Sequence, residues 1–176
     1  MDDFNSSVLS LAQIIAPDFE HKVHNDLLTL IIKPNYLLQL ATELKENENT
    51  KIDMLLDITA IDWYNKKPRF ELVYNLYTNK FKKRLFIKVP ISEYEPEIQS
   101  LTSIWESANW YERETYDMYG IKFLNHPNLR RFYMPEDFVD PHTGEPLYPL
   151  RKDFPLMGIP DSLPLPPYPE RDGEVR

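Results

Sequence analysis

Glu112, Arg113 and Glu114 stand together in the stretch WYERETYDMYGIKFLNHPNLRRFYMP, with Asp117 one helical turn further on. His126 and the adjacent Arg130 and Arg131 follow. Two carboxylates near a histidine could run general acid/base chemistry, provided donor and acceptor face one substrate. The spacing opposes this. Residues two apart on a helix point to different sides, so Glu112 and Glu114 would not flank a common atom. Arg113 and Asp117 are four apart and are expected to pair with each other along the helix. A free-standing acid/base enzyme using Glu112, Glu114 and His126 stands as the alternative reading.

Other chemistries have weaker footing. His126 precedes Pro127 and has no clustered partners, and His21, His24 and His142 show no metal-ligand spacing. Arg130 and Arg131, and further on Arg151 and Lys152 before Asp153, could grip a phosphate. No glycine-rich phosphate loop and no nucleophile elbow accompany them, so pairing with carboxylates of this chain or of a partner is the simpler expectation. Trp105, Trp110, Tyr111, Tyr116, Tyr119, Phe123, Phe132 and Tyr133 crowd the same region. Tyr, Trp and Arg are the residues enriched at the centres of protein interfaces. The residues therefore describe a non-catalytic docking module.

The elements that must position these residues follow from periodicity. SSVLSLAQIIA predicts a short amphipathic helix and DLLTLII a strand. PNYLLQLATELKEN predicts a second helix capped by Asn35, with Leu37, Leu40, Ala41 and Leu44 on one face. IDMLLDITAIDWY predicts a buried strand, and RFELVYNLYT and FKKRLFIKVP alternate as the arms of a β-hairpin. Helical signals resume near Glu95 and run, with a break, to Tyr119, where Gly120 stops the helix. On this helix Trp105, Ala108, Tyr111, Thr115 and Met118 form the packing stripe, and the charges beside it are expected to face a partner. The order α-β-α-β-β-β-α fits an α+β fold, a mostly antiparallel sheet with helices on one face.

From Met134 the chain changes character. All four glycines lie at or after Gly120, and ten of the sixteen prolines lie at or after Pro135. Proline fixes φ and removes a donor, so long helices and central strands are excluded there. The stretch is nevertheless too apolar for a solvated linker. The expectation is a body over 1–133 and an extended Pro-rich C-terminal arm over 134–176 that docks on the body or on a neighbouring subunit.

Bulk properties narrow the partners. With 176 residues the chain suits one domain with a real core, and its net charge of −8 argues against nucleic acid or anionic lipid as the main partner. It has no cysteine, so it offers no thiolate to zinc or to an iron–sulfur cluster. The start MDDFNSSVLS does not read as a secretory signal, and no apolar run approaches the ~20 residues a membrane span needs.

ERETYDMYGIKFLNHPNLRR resembles the signature of the C subunit, or 30 kDa subunit, of proton-pumping NADH:quinone oxidoreductase, respiratory complex I. The matching positions are Glu112, Arg113, Glu114, Asp117, Met118, Tyr119, His126 and Arg130. PLRKDFPL is similar to the family's C-terminal motif, and LLDITAIDW to its central strand. Phe132 and Tyr133 stand where the family usually has aliphatic residues, and VDPHTGEPLY intervenes before the second motif. The resemblance implies a subunit of the peripheral arm with no catalytic activity of its own. It implies no cofactor on this chain; FMN, iron–sulfur clusters and quinone belong to the whole complex, which couples NADH oxidation to proton translocation. The D subunit (49 kDa type) is the first implied partner, with B and I type subunits beside it. The implied location is the cytoplasmic side of the bacterial inner membrane, held peripherally. Glu112, Arg113, Glu114, Asp117, His126, Arg130, Arg131, Arg151, Lys152 and Asp153 are the implied interface residues. Related hydrogenase- or ferredoxin-linked complexes use similar subunits, which leaves the electron donor open.

Overall fold

The computed structural model describes residues 3–155. Helix α1 (Asp3–Ile15) is followed by strands β1 (Glu20–His24) and β2 (Leu27–Ile31), helix α2 (Leu37–Glu46), and strands β3 (Met54–Asp62), β4 (Phe70–Thr78) and β5 (Lys83–Ile91). Strand β6 (Glu97–Gln99), helix α3 (Ala108–Tyr119) and strand β7 (Lys122–Leu124) complete the regular elements. The main sheet has five strands in the order β1-β2-β5-β4-β3. Its pairings are antiparallel except β2 with β5. This is the expected α+β class.

The alternation in the two long strands sets the core. Phe70, Leu72, Tyr74 and Leu76 lie opposite Ile91, Val89, Ile87 and Leu85, and all eight are buried. Fully burying side chains of this kind contributes about 1.5–3 kcal/mol each. Phe4, Val8 and Ala12 of α1 and Leu37, Leu40, Ala41 and Leu44 of α2 join the same cluster. The intervening residues of β4, such as Val73 and Tyr77, are half-buried on the opposite face of the sheet.

Four local expectations are corrected. Strand β1 was not foreseen, because EHKVH is polar and all five residues are exposed. Its backbone pairs with β2 across Asn25 and Asp26, both at positive φ, as a tight hairpin turn requires. Asn35 does not cap α2; Pro34–Tyr36 form a 3₁₀ turn, and Tyr36 precedes the helix without a side-chain cap. The segment from Glu95 is not helical until Ala108. Glu97–Gln99 instead pairs in parallel with β7, which places Ser100 and Leu101 beside α3. Strand β3 is not buried throughout: it is an edge strand with a bulge between Leu55 and Asp57, and Met54 is exposed.

That edge is covered by α3. Thr115 Oγ1 donates to the Ile58 carbonyl at 3.0 Å, and Ser107 Oγ donates to the Leu55 carbonyl at 3.0 Å. An exposed edge invites foreign strands, and these hydroxyls occupy its acceptors. The helix carrying the charged signature is thereby fixed to the sheet. It ends at Gly120, which sits at φ 74° and donates to the Tyr116 carbonyl. Glycine reaches that left-handed conformation without steric cost.

Candidate docking site

The charged residues of α3 turn inward. Glu112 has no exposed surface. Its Oε2 accepts from Ser100 Oγ at 2.6 Å and its Oε1 from the Leu101 N–H at 2.7 Å. Burial pushes its carboxyl up to about 7, against the pull of these two donors. A carboxyl with that value suits proton transfer, but no substrate touches a side chain wholly enclosed in this conformation. Glu114 lies on a different side, half-buried beside Asp57, where burial and then the Asp57 charge raise its pKa.

The expected Arg113–Asp117 pair does not form. Asp117, also without exposed surface, is taken by Arg131, whose Nη1 lies 2.9 Å from Oδ1. Its Oδ2 accepts the consecutive N–H groups of Phe132 (2.9 Å), Tyr133 (2.6 Å) and Met134 (2.9 Å). Three N–H groups converging on one anion make a backbone nest. Burial alone would raise the Asp117 carboxyl, but these donors and Arg131 outweigh it and hold the pKa below the usual range. A pair across a loop replaces the helical pair because a buried carboxylate needs more donors than one neighbouring arginine supplies.

Arg113 is released for another role. Its guanidinium donates to the carbonyls of Arg130 (3.4 Å) and Arg131 (3.2 Å). It lies 5.1 Å from the Trp110 ring centroid and 5.2 Å from that of Phe132. Arginine fits such a place because its planar head stacks while its edge donates. The result is a pinned aromatic surface: Trp110 and Phe132 centroids are 5.2 Å apart, and Phe132 and Tyr133 centroids 4.5 Å. Trp110 is 56% exposed, Tyr133 57% and Phe132 40%. Arg130 is exposed beside them in sequence.

His126 serves the loop. Its Nδ1 accepts from the Asn128 N–H at 3.0 Å, so Nε2 donates to the Asn109 carbonyl at 3.1 Å. Burial lowers its pKa and favours this neutral form. Glu112 and His126 are thus held by separate partners, Glu114 faces Asp57 on another side of the helix, and the geometry assembles no acid/base pair from them.

The second motif closes over the end of α3. The Leu150 N–H donates to the Met118 carbonyl, and Arg151 Nε donates to the Tyr119 carbonyl at 2.6 Å. A cation here matches the negative end of the helix dipole. Arg151 also lies over Tyr148 and Phe70, and burial lowers its pKa. The side chain of Lys152 is exposed, while its N–H donates to Asp62 Oδ2 at 2.8 Å. Asp153 pairs with Arg69 at 2.9 Å and is 46% exposed. Arg131 holds the preceding residues through the carbonyls of Phe138 and Leu147.

Sequence reasoning missed Asp62, Arg69 and Ser100. Asp62 and Arg69 form a two-pronged pair at 2.9 and 2.7 Å that anchors both Lys152 and Asp153. No spacing rule links the last residue of β3 to the residue that precedes β4, so only their place at the shared end of the two strands reveals them. The described residues contain no group of three or more His, Cys, Asp or Glu able to hold a metal. Without cysteine the chain has no ligands for a thiolate-bound cluster.

Residues 30–160 match the family model described as respiratory-chain NADH dehydrogenase, 30 Kd subunit. The C subunit of the NADH-quinone oxidoreductase of Geotalea uraniireducens is 41% identical over 165 residues, covering 93% of this chain and 94% of that protein. NADH-ubiquinone oxidoreductase subunit 9 of Reclinomonas americana is 40% identical over 131 residues, 74% of this chain and 60% of that one. Among solved structures, a trypsin-resistant fragment of Nqo5 aligns with a TM-score of 0.60 at 26% identity, covering 71% of this chain and 98% of the fragment. A chain of an archaeal membrane-bound sulfane sulfur reductase aligns with a TM-score of 0.68 at 27% identity, covering 87% and 86%.

Proposed function

The chain belongs to the 30 kDa subunit family of respiratory-chain NADH dehydrogenase, and from that premise we propose that it is a non-catalytic docking subunit in the peripheral arm of complex I. The supporting observation is the division of labour in the signature. Glu112, Arg113 and Asp117 are spent inside the fold, and their fixed geometry presents Trp110, Phe132 and Tyr133 outward. Rigid exposed aromatics beside an arginine lose little entropy on binding and bury large area, which is how interface hot spots work.

In this reading the partner at the aromatic surface is the D subunit (49 kDa type), with B and I type subunits nearby. FMN, the iron–sulfur clusters and quinone are held by other subunits, and the electrons pass without touching this chain. The body over 1–133 docks, and the arm over 134–176, of which 156–176 lie outside the described residues, packs on the body or on a neighbouring subunit. The described part of the arm, up to Pro155, is fastened to the body through Arg69, Asp62 and the end of α3. No helix among the described residues is long and apolar enough to cross a membrane, which suits a peripheral place on the cytoplasmic side of the bacterial inner membrane. A second reading puts the same docking role in a related hydrogenase- or ferredoxin-linked membrane complex. The likeness to the sulfane sulfur reductase chain favours keeping it.

The test is a Trp110→Ala/Tyr133→Ala variant expressed with the other subunits. The expected result is a several-fold loss of co-purifying complex, while the isolated variant still folds cooperatively, its melting temperature lowered by only a few degrees through the lost ring contacts. Full assembly of the variant would refute the aromatic surface as the docking site. Purified chain alone is expected to show no NADH oxidation; turnover by it would overturn the non-catalytic reading.

A further inference from the structure

The open face of the main sheet carries a groove that shares no residue with the aromatic surface. Its volume is about 590 Å³. Thr29 and Ile31 of β2 and Pro90 of β5 line its half-buried floor. One side is formed by β1 with Lys22, the other by the loop after β3 with Trp63, Lys66 and Lys67.

The charge here runs against the molecule. The whole chain carries −8. The groove is lined by Lys22, Lys66, Lys67 and Lys88 against the single carboxylate Glu71, so four positive charges less one negative leave an excess of three. Glu71 is already engaged: its Oε1 lies 3.0 Å from Lys88 Nζ, and its Oε2 accepts from Trp63 Nε1 at 2.8 Å. Lys66 Nζ sits 3.8 Å from the Trp63 ring centroid, and Lys67 Nζ lies 3.4 Å from the Tyr94 hydroxyl. The indole is thus held in place, and the exposed lysines of the loop stand around it.

We propose that this groove is a second docking site whose occupant is an extended acidic segment of a partner protein. One apolar side chain of the segment rests on Ile31 and Pro90, and carboxylates on either side reach Lys22 and the Lys66–Lys67 loop. Charge complementarity selects the acidic character, because a basic surface on an acidic protein steers and discriminates anionic partners. The recessed apolar floor selects a peptide over a membrane: a flat bilayer meets the lysines and leaves the floor unfilled. With the aromatic surface on one partner and this groove on another, the subunit bridges two neighbours.

The experiment titrates the full chain with the peptide acetyl-Glu-Asp-Glu-Leu-Glu-Asp-Glu-amide and with its Gln/Asn counterpart. The expected result is binding of the acidic peptide alone. That binding should weaken ~10-fold between about 50 and about 300 mM NaCl, and by a similar factor in a Lys66→Glu/Lys67→Glu variant. Both lysines are exposed, so the variant is expected to keep the parent's melting temperature. Lys22→Glu, on a different element, provides an independent second variant. Equal binding of both peptides, or undiminished binding by both variants, would overturn the proposal. So would sedimentation of the chain with phosphatidylserine vesicles in the absence of peptide binding.

Discussion

Replacing Asp117 by alanine should uncouple the signature helix from the loop that carries the aromatic surface. The carboxylate has no exposed surface and accepts four donors at once. Its loss leaves Arg131, whose side chain is 7% exposed, facing no carboxylate. Removing one partner of a buried ion pair costs about 3–5 kcal/mol. Three part-buried N–H groups would each add about 1–3 kcal/mol if they stayed dry. They need not stay dry, because Phe132 and Tyr133 lie in an exposed loop that can open to water. The total is therefore expected near the ion-pair figure, with the loop released as the means of relief. For a chain of this size that lowers the melting temperature on the order of 10 °C. Asp117→Asn keeps one acceptor oxygen for either the nest or Arg131, and should cost about 2–3 kcal/mol. The assay is chemical denaturation together with hydrogen exchange of the Phe132, Tyr133 and Met134 amides. If Asp117→Ala unfolds at the parent's midpoint with those amides still protected, the carboxylate does not organise the loop. The reasoning from Asp117 to the docking surface then fails.

Glu112 and Asp62 should shift stability with pH in opposite senses. The folded Glu112 pKa of about 7 lies above its ordinary 4.5, so the folded state binds the proton more tightly. Its contribution is present below about 4.5 and falls by about 3 kcal/mol as pH rises through 7. Glu112→Gln should flatten that limb of the denaturation profile, and matching slopes in variant and parent would refute it. Burial opposes ionisation of Asp62, but Arg69 and two backbone donors bring its pKa down to about 2 from 3.8. Its contribution of about 2 kcal/mol is present above the ordinary value and is lost as pH falls through 2. Asp62→Asn should therefore lose stability at neutral pH and lack the steepest part of the acid transition, which circular dichroism between about pH 1.5 and 4 reads out. At Gly120, with φ +74°, an added Cβ would come within 2.5 Å of Tyr148 and of Arg151 Nη2. Gly120→Ala should cost about 2 kcal/mol or more and loosen residues 148–155, seen as faster proteolysis there. Unchanged cleavage would mean that the arm does not depend on this close approach.

Periodicity alone placed the buried faces of α2, β4 and β5, because burial there is decided by a repeat of side chains along one element. Gly120 was legible as a helix stop for the same local reason. The separation of Glu112 from Glu114 was legible too, since helix geometry assigns them to different sides. Strand β1 was hidden because its pairing is carried by the backbone, although Asn25-Asp26 was a turn signal that could have found it. Strand β6 was hidden behind helical spacing and forms only because β7 lies alongside it.

The charged cluster shows where sequence runs out. Its residue types, spacing and likeness to a family signature identified the segment that matters and the family it belongs to. They also suggested a helical Arg113–Asp117 pair and charges facing outward. Tertiary structure decided otherwise. The loop 130–134 folds back across α3, so Asp117 meets Arg131 and three N–H groups while Arg113 lies against both Trp110 and Phe132. A buried carboxylate is stabilised by the donors that surround it in space. Which donors those are depends on chain segments far apart in sequence, and no pattern within one helix encodes their approach.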